Sequence, residues 1–248
     1  MTESRIVVLD TVDSTLKEAR RRADAGEAGP LWIVAMEQTG GYGRRGRSWT
    51  SPRGNLHATG LYRLKIAPAQ AALLSFVAAL AVAELADTIT EPSGIGLKWP
   101  NDVLVHGRKC AGILLESWPA GEGALAVSVG VGVNLVAAPD DVERPAIALA
   151  DAAQDSVPDP RTAAARLATA FERHLAVFLA QGFAPIRAAW LNRAIGVGGP
   201  LVVRLAHETF EGRFEDLDPS GALLVRTIDG ALRSVTAADI HFPHKETV

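Results

Sequence analysis

The chain has 248 residues, 48% of them hydrophobic, enough to fill the cores of one large unit and one small one. Its 25 basic and 28 acidic residues leave a formal charge of −3, which excludes the broad positive field of a general nucleic-acid binder, so any basic site must be local. The single cysteine, Cys110, excludes an intramolecular disulfide, and residues 1–10 lack a charged-then-apolar leader, so a reducing, cytoplasmic setting is expected.

Residues 5–10 read as a strand, and Thr15 with Glu18 three positions later gives a capping-box signal for a helix to about residue 25. A second strand over residues 32–37 runs directly into residues 38–47, a loop holding Gly40, Gly41, Gly43 and Gly46. Another strand follows at 56–62. Residues 66–83 carry no charge and approach the length of a minimal membrane span. However, Pro68, Gln70 and Ser75 interrupt them, alanine dominates, and Glu84 and Asp87 close the run, so a buried helix of a water-soluble core is expected. A short strand at 96–99 leads to strands at 103–105 and 111–115, which flank His106-Gly107 as an antiparallel hairpin, and residues 125–135 add one more strand. Leu167, Phe171, Leu175 and Phe178 give residues 161–181 the spacing of an amphipathic helix, with a shorter helix at 184–193. From Gly196 onward, β-rich runs at 201–205, 209–215, 223–227 and 233–235 are separated by the turns Asp218-Pro-Ser-Gly221 and Asp229-Gly230. The predicted fold class is α+β: a mixed-sheet domain with flanking helices over residues 1–195, then a small SH3-like β-barrel domain over 196–248.

Three segments carry chemistry. In the first, the glycines of residues 38–47 permit positive φ angles that turn backbone N–H groups toward an anion, while Arg44, Arg45 and Arg47 add forked donors. This is neither a Walker A sequence nor a dinucleotide-binding turn, and taken alone it fits a solvated basic loop or an RNA-contacting segment equally well. The second is Lys98-Trp-Pro-Asn-Asp102 with Arg108-Lys109 and Gly112-Ile-Leu-Leu-Glu116. Lys98, Asn101 and Asp102 gather at a strand end stiffened by Pro100. Lys109 can neutralise charge between a carboxylate and a phosphate, and Asp102 can accept a proton or hold a cation. The third is Gly130-Val-Gly-Val-Asn134, whose glycines mark close approach of a ligand or of packed neighbours. His241 and His244 raise a metal site, but His57, His106, His174 and His207 are scattered and no paired Cys/His spacing exists; solvated tail residues are expected, with no metal ligands of protein origin.

In this order and spacing, these segments resemble the catalytic domain of biotin protein ligases over nearly the whole chain. Asp13-Ser14-Thr15 resembles that family's Asp-Ser-Thr. Gln38, Gly41, Gly43, Arg44, Gly46 and Arg47 are similar to its Gln-x-x-Gly-Arg-Gly-Arg-x-Gly-Arg, and Lys98–Asp102 matches its Lys-Trp-Pro-Asn-Asp unchanged. The resemblance implies that residues 1–195 form a biotin- and ATP-binding ligase domain. It implies activation of biotin with Mg-ATP to biotinyl-5′-AMP, then transfer to a lysine of a biotin carboxyl carrier protein of acetyl-CoA carboxylase and related carboxylases.

On the same resemblance, Ser14, Thr15, Gln38, Gly41, Gly43, Arg44, Lys109 and Gly112 would bind biotin. Gly43, Arg44, Arg47, Lys98, Asn101, Asp102, Lys109 and Asn134 would hold ATP and the adenylate, and Lys109, Arg44 and Asp102 would carry catalysis. ATP and Mg2+ are implied as cofactors, the latter arriving with ATP. Two positions depart from the pattern: Tyr42 stands where the family usually has arginine, and Leu16 where it has a polar residue such as asparagine. Tyr42 is expected to be tolerated through backbone binding, its ring free to stack on the ligand. Some family members carry an N-terminal helix-turn-helix and act as repressors. Ser14 already belongs to the catalytic motif here, so DNA is not an expected partner, nor is a membrane, while a homodimer is compatible. The alternatives are a lipoate-type ligase and an anion- or RNA-binding protein using the Arg/Gly loop.

Overall fold

Period-2 and continuous apolar runs resolve into two sheets in the computed structural model, which describes residues 4–140, 145–153 and 155–242. The larger sheet comprises β1 (Arg5–Val12), β2 (Leu31–Gln38), β3 (Leu56–Leu64), β4 (Ile95–Lys98), β5 (Asp102–Val105), β6 (Arg108–Pro119) and β7 (Leu125–Val133), in the order β1-β2-β3-β7-β6-β5-β4. Only β1 and β2 pair in parallel; all other neighbours are antiparallel. Residues 31–35 of β2 are buried throughout, as a strand covered on both faces must be.

One face of this sheet carries α1 (Thr15–Asp24), whose Ala19 packs against Leu31, Ile33 and Leu61. The other carries α3 (Leu74–Asp87) and α4 (Pro160–Gln181), with Leu167, Phe171, Leu175 and Phe178 of α4 all buried as their spacing predicts. The long apolar run is broken: α2 (Pro68–Ala72) ends at Leu73, and α3 is buried on almost every side. Pro68–Asp87 has the length and composition to cross a membrane, yet most of it lies inside this core. The start of α4 is set by Asp159, whose carboxylate accepts the N–H groups of Arg161 (2.9 Å) and Thr162 (3.1 Å), followed by Pro160 in the first turn.

The capping box expected at Thr15 and Glu18 does not form. Ser14 is the cap residue, Glu18 pairs instead with Arg21 and Arg22, and the Thr15 hydroxyl is drawn toward β2. α5 (Phe183–Leu191) leads into the second sheet: β8 (Pro200–Arg204), β9 (Thr209–Leu217), β10 (Leu223–Thr227), β11 (Leu232–Val235) and β12 (Asp239–His241). This SH3-like antiparallel sheet runs β11-β10-β9-β8-β12. β12 was not predicted, because three residues with one buried apolar side chain, Ile240, make no pattern. His241 therefore sits in a strand paired with Val202 rather than in a solvated tail, and His244 lies outside the described residues.

The two sheets share one hydrophobic core. Phe76 of α3 packs edge-on against Phe183 and Trp190 of α5, Trp99 Nε1 donates to the Gly221 carbonyl (3.0 Å), and Arg187 donates to the Leu217 carbonyl (2.7 Å).

Candidate active site

A cleft of about 280 Å³ opens on the α1 face of the large sheet, between the β1–α1 junction, the 38–49 loop, the β4–β5 turn and β12. At one end the first residues of α1 turn inward, with Ser14, Thr15 and Leu16 all buried. The Arg21 guanidinium, 2.8 Å from Asp13, holds that carboxyl down at about 2 against its partial desolvation, and Asp13 in turn accepts the Ser14 N–H at 2.8 Å. From here a directional hydrogen-bond chain crosses the cleft floor. Thr59 donates to Thr15 (2.8 Å), Thr15 donates to Gln38 Oε1 (3.1 Å), Gln38 Nε2 donates to Ser51 (2.9 Å), and Ser51 donates to the Trp49 carbonyl (3.0 Å). The Thr15 N–H also donates to Gln38 Oε1 at 2.8 Å, so both lone pairs of that oxygen are committed.

The Arg/Gly loop is a small hairpin. Tyr42 faces Ser48 across an antiparallel bridge, Gly43 N–H donates to the Arg47 carbonyl (2.8 Å), and Trp49 N–H donates to the Gly41 carbonyl (3.0 Å). The expectation that the glycines turn a row of N–H groups toward an anion needs correction. The left-handed residues are Arg45 (φ 58°) and Gly46 (φ 70°), while Gly43 is extended at φ −116° and its N–H is used within the hairpin. Gly41 is required for close approach, since a Cβ there would lie 2.6 Å from Ser51 Oγ and 2.7 Å from the Trp49 carbonyl oxygen. It sits behind the cleft wall rather than in it.

The loop's cationic side chains have separate destinations. Arg44 reaches the cleft and donates to Asn101 Oδ1 at 3.3 Å; burial, and then the neighbouring Arg45 charge, lower its pKa without removing the charge of a guanidinium. Arg45 and Arg47 both pair with Asp239 on β12, at 2.9 and 2.7 Å. A freely solvated basic loop is thus not what forms. The Tyr42 ring does not lie free to stack: its hydroxyl donates to Glu116 Oε1 at 2.9 Å, and burial together with that carboxylate pushes the phenol up to about 12.

At the opposite end, Lys109 Nζ lies 2.6 Å from Asp102 Oδ1 and 5.5 Å from the centre of the Trp49 ring. The Asn101 side chain donates to the Ile113 carbonyl (2.7 Å), and Asn134 is buried with its backbone N–H on the Cys110 carbonyl (2.8 Å). Burial pushes the Cys110 thiol up to about 12, which makes it a core residue with no nucleophilic role. The glycines of the third motif serve neighbouring side chains. A Cβ on Gly130 would meet Leu16 at 2.9 Å, one on Gly132 would meet the Trp49 indole at 2.5 Å, and one on Gly112 would meet the same indole at 3.1 Å. Trp49 Nε1 is buried in this cradle without a hydrogen-bond partner, an orphan donor of the kind a bound ligand satisfies.

Of the predicted site residues, Ser14, Thr15, Gln38, Gly43, Arg44, Arg47, Asn101, Asp102, Lys109, Gly112 and Asn134 line this one cleft. Lys98 does not: its ammonium lies 5.6 Å from the Phe242 ring at the border with the small sheet. Trp49, Ser51, Thr59 and Asp239 were missed. Trp49 and Ser51 follow the loop immediately in sequence and were within reach, whereas Asp239 is almost two hundred residues away from its partners and has no local signal. Among the described residues no cluster of three His, Cys, Asp or Glu side chains has the geometry to hold a metal ion. The cleft is apolar around Leu16, Ala58 and Val131 and cationic around Arg44 and Lys109, which suits a molecule with a neutral body and an anionic end.

The biotin/lipoate A/B protein ligase family profile matches residues 9–134, and the biotin protein ligase C-terminal domain profile matches residues 201–242. A biotin–[acetyl-CoA-carboxylase] ligase of Paracoccus denitrificans is 43% identical over 241 residues, covering 95% of this chain and 99% of that protein. The biotin protein ligase of Aquifex aeolicus, solved with biotin and ATP, superposes with a TM-score of 0.80 at 24% identity over 96% of this chain and 99% of that one. The Leishmania major biotin protein ligase, solved with biotinyl-5-AMP, gives a TM-score of 0.63 at 25% identity over 94% of this chain and 99% of that one.

Proposed function

From the premise that this chain belongs to the biotin/lipoate A/B protein ligase family, we propose that it is a biotin–[acetyl-CoA-carboxylase] ligase. It activates biotin with ATP to biotinyl-5′-AMP and transfers the biotinyl group to a lysine of the carboxylase's biotin carboxyl carrier protein. The observation that carries this reading is the convergence of Gly43, Arg44 and the Lys109–Asp102 pair at one end of a cleft whose other end is walled by Ser14, Thr15 and Gln38.

In the first half-reaction a biotin carboxylate oxygen bonds to the α-phosphorus of ATP, and the bond to the β-phosphate oxygen breaks to release pyrophosphate. Negative charge concentrates on the α-phosphate oxygens. The Lys109 ammonium, held in place by Asp102, and the Arg44 guanidinium, held by Asn101, supply fixed positive charge there. Gly43 leaves room for the carboxylate, because nothing lies nearer its missing Cβ than the Arg47 carbonyl at 3.8 Å. Arg47 and Asn134 border the nucleotide, and the orphaned indole N–H of Trp49 faces the same space. ATP would enter as its Mg2+ complex, and the ion would supply charge neutralisation for the leaving pyrophosphate, with no protein carboxylate cluster needed to hold it. In the second half-reaction the neutral amine of the carrier lysine bonds to the biotinyl carbonyl carbon, and AMP departs with the bonding electrons. Asp102 is the cleft carboxylate that can take one proton from the lysine ammonium to give the neutral amine, and the second proton, lost as the amide forms, leaves to solvent.

The polar end formed by Ser14, Thr15 and the Gln38 amide suits a ureido group, which offers both donors and acceptors, better than a lipoyl dithiolane, which offers no hydrogen-bond donor. Residues 1–195 serve as the catalytic unit and 196–248 as the SH3-like unit, a division supported by two sheets that share no strand. The enzyme acts on carrier protein rather than on DNA, a reading supported by the net charge of −3 and by the pairing of Arg45 and Arg47 with Asp239. Incubation with biotin, Mg-ATP and a carrier domain should give avidin-detectable label on that domain. Absence of label together with absence of biotin-dependent pyrophosphate release would overturn the proposal.

A further inference from the structure

The 42–48 hairpin owes its shape to its own backbone bonds, but those bonds do not tie it to the rest of the molecule. Its side-chain ties to the body are unequal. Arg45 and Arg47 reach Asp239 through guanidiniums that are 48% and 54% exposed, so solvent and salt screen them. The Arg44–Asn101 contact is long at 3.3 Å. The Tyr42–Glu116 hydrogen bond is 2.9 Å, charge-assisted, and made between two partly buried residues. Glu116 shares the cleft face of β6 with Gly112 and Leu114 by strand alternation, and Tyr42 immediately precedes Gly43 and Arg44.

We propose that the Tyr42 hydroxyl and the Glu116 carboxylate form a latch that holds the hairpin over the cleft before any ligand arrives, making Tyr42 a positioning residue for the adenylate. The phenol stays protonated, and so remains a donor, throughout the physiological range, because burial and the adjacent carboxylate both oppose its ionisation. The Lys17 ammonium, 6.0 Å from the ring centre, and the Ser14 side chain beside the phenol add weaker contacts. The latch acts on retention: when it opens, Gly43 and Arg44 move away together, and the mixed anhydride meets water. Its role in adenylate retention rests on the biotin-ligase reading; its existence as a tether does not.

The full chain and four variants test it: Tyr42→Phe, Glu116→Ala, Glu116→Gln and the Tyr42→Phe/Glu116→Ala pair. Two readouts are taken, amide hydrogen exchange of residues 42–48 in the ligand-free protein and release of preformed biotinyl-5′-AMP. Tyr42→Phe and Glu116→Ala should each speed both by about tenfold, the effect of one charge-assisted bond. The double variant should be no faster than either single one, and Glu116→Gln, whose amide oxygen still accepts from the phenol, should stay within about threefold of the parent. The KM for biotin should rise in the same variants that speed release and stay near the parent's in Glu116→Gln. Unchanged exchange in Tyr42→Phe, additive effects in the pair, or equal damage by Glu116→Gln and Glu116→Ala would overturn the latch. A parent protein that makes no adenylate would instead overturn the assigned function, with the exchange data still deciding the tether.

Discussion

Lys109→Ala separates the two jobs of the ion pair at the heart of the cleft. With Nζ 2.6 Å from Asp102 Oδ1, the direct attraction is about 6 kcal/mol at an effective dielectric of ~20, most of it offset by the cost of desolvating both groups. The Asp102 side chain is 9% exposed, so losing the ammonium at 2.6 Å weakens the compensation of a largely buried carboxylate and should cost the fold about 1–3 kcal/mol, less than a fully buried pair because Lys109 is 27% exposed. The chemical loss is separate. Removing one fixed donor from oxygens that gain charge in the transition state lowers a rate by about 10²–10³. The assay is biotin-dependent exchange of pyrophosphate into ATP, with a thermal melt alongside. A Lys109→Ala/Asp102→Asn variant, in which the under-compensated charge is gone, should recover part of the melting temperature and none of the rate. Exchange within about threefold of the parent, or a rate restored in the double variant, would refute the assignment of Lys109 to the reacting oxygens.

Arg44→Gly should release the adenylate faster and label lysines of bystander proteins, as followed by avidin blotting; an unchanged dissociation rate would count against a contact between Arg44 and the adenylate. Asp13, held at about 2 by Arg21, lies below its ordinary 3.8, so its contribution to stability is complete above pH ~4 and lost as the pH falls through 2. Arg21→Met should therefore melt earlier than the parent at neutral pH, with the gap closing between pH 4 and 2. A gap that persists at pH 2 would place the effect elsewhere. Gly132→Ala drives a methyl group to 2.5 Å from the Trp49 indole, so ATP affinity measured by calorimetry should fall by about tenfold or more while biotin affinity changes little. Equal losses for both ligands would mean that Trp49 does not border the nucleotide.

Long elements were legible because their signals are local. The uncharged, alanine-rich run of 66–83 announces burial, and the four-point spacing of Leu167 to Phe178 announces which side of α4 faces the sheet. The cleft residues were legible through resemblance in motif, which places side chains without explaining them. What the residues could not show was partner choice. Thr15 has the right neighbour for a capping box, yet Gln38 and Thr59 compete for its hydroxyl, and only the parallel pairing of β1 with β2 brings Gln38 close. The loop glycines looked like a flexible anion nest, whereas only Gly46 uses a positive φ and Gly41 is there for lack of a side chain. In the same way, Tyr42 read as a missing cation until Glu116 appeared beside it.

Asp239 explains why a second, smaller sheet belongs to the site. Arg44, Arg45 and Arg47 lie within four residues of one another, and the pKa of the partly buried Arg44 is lowered chiefly by burial and then by the neighbouring Arg45 charge, with Arg47 adding less. A single carboxylate bonded to Arg45 and Arg47 draws their charge outward, toward β12, and leaves Arg44 turned to Asn101 and the cleft. Because Asp239 is held by the pairing of β12 with β8, the charge balance of the loop depends on a strand contributed by the C-terminal sheet, and the catalytic cleft is completed only when both sheets are in place.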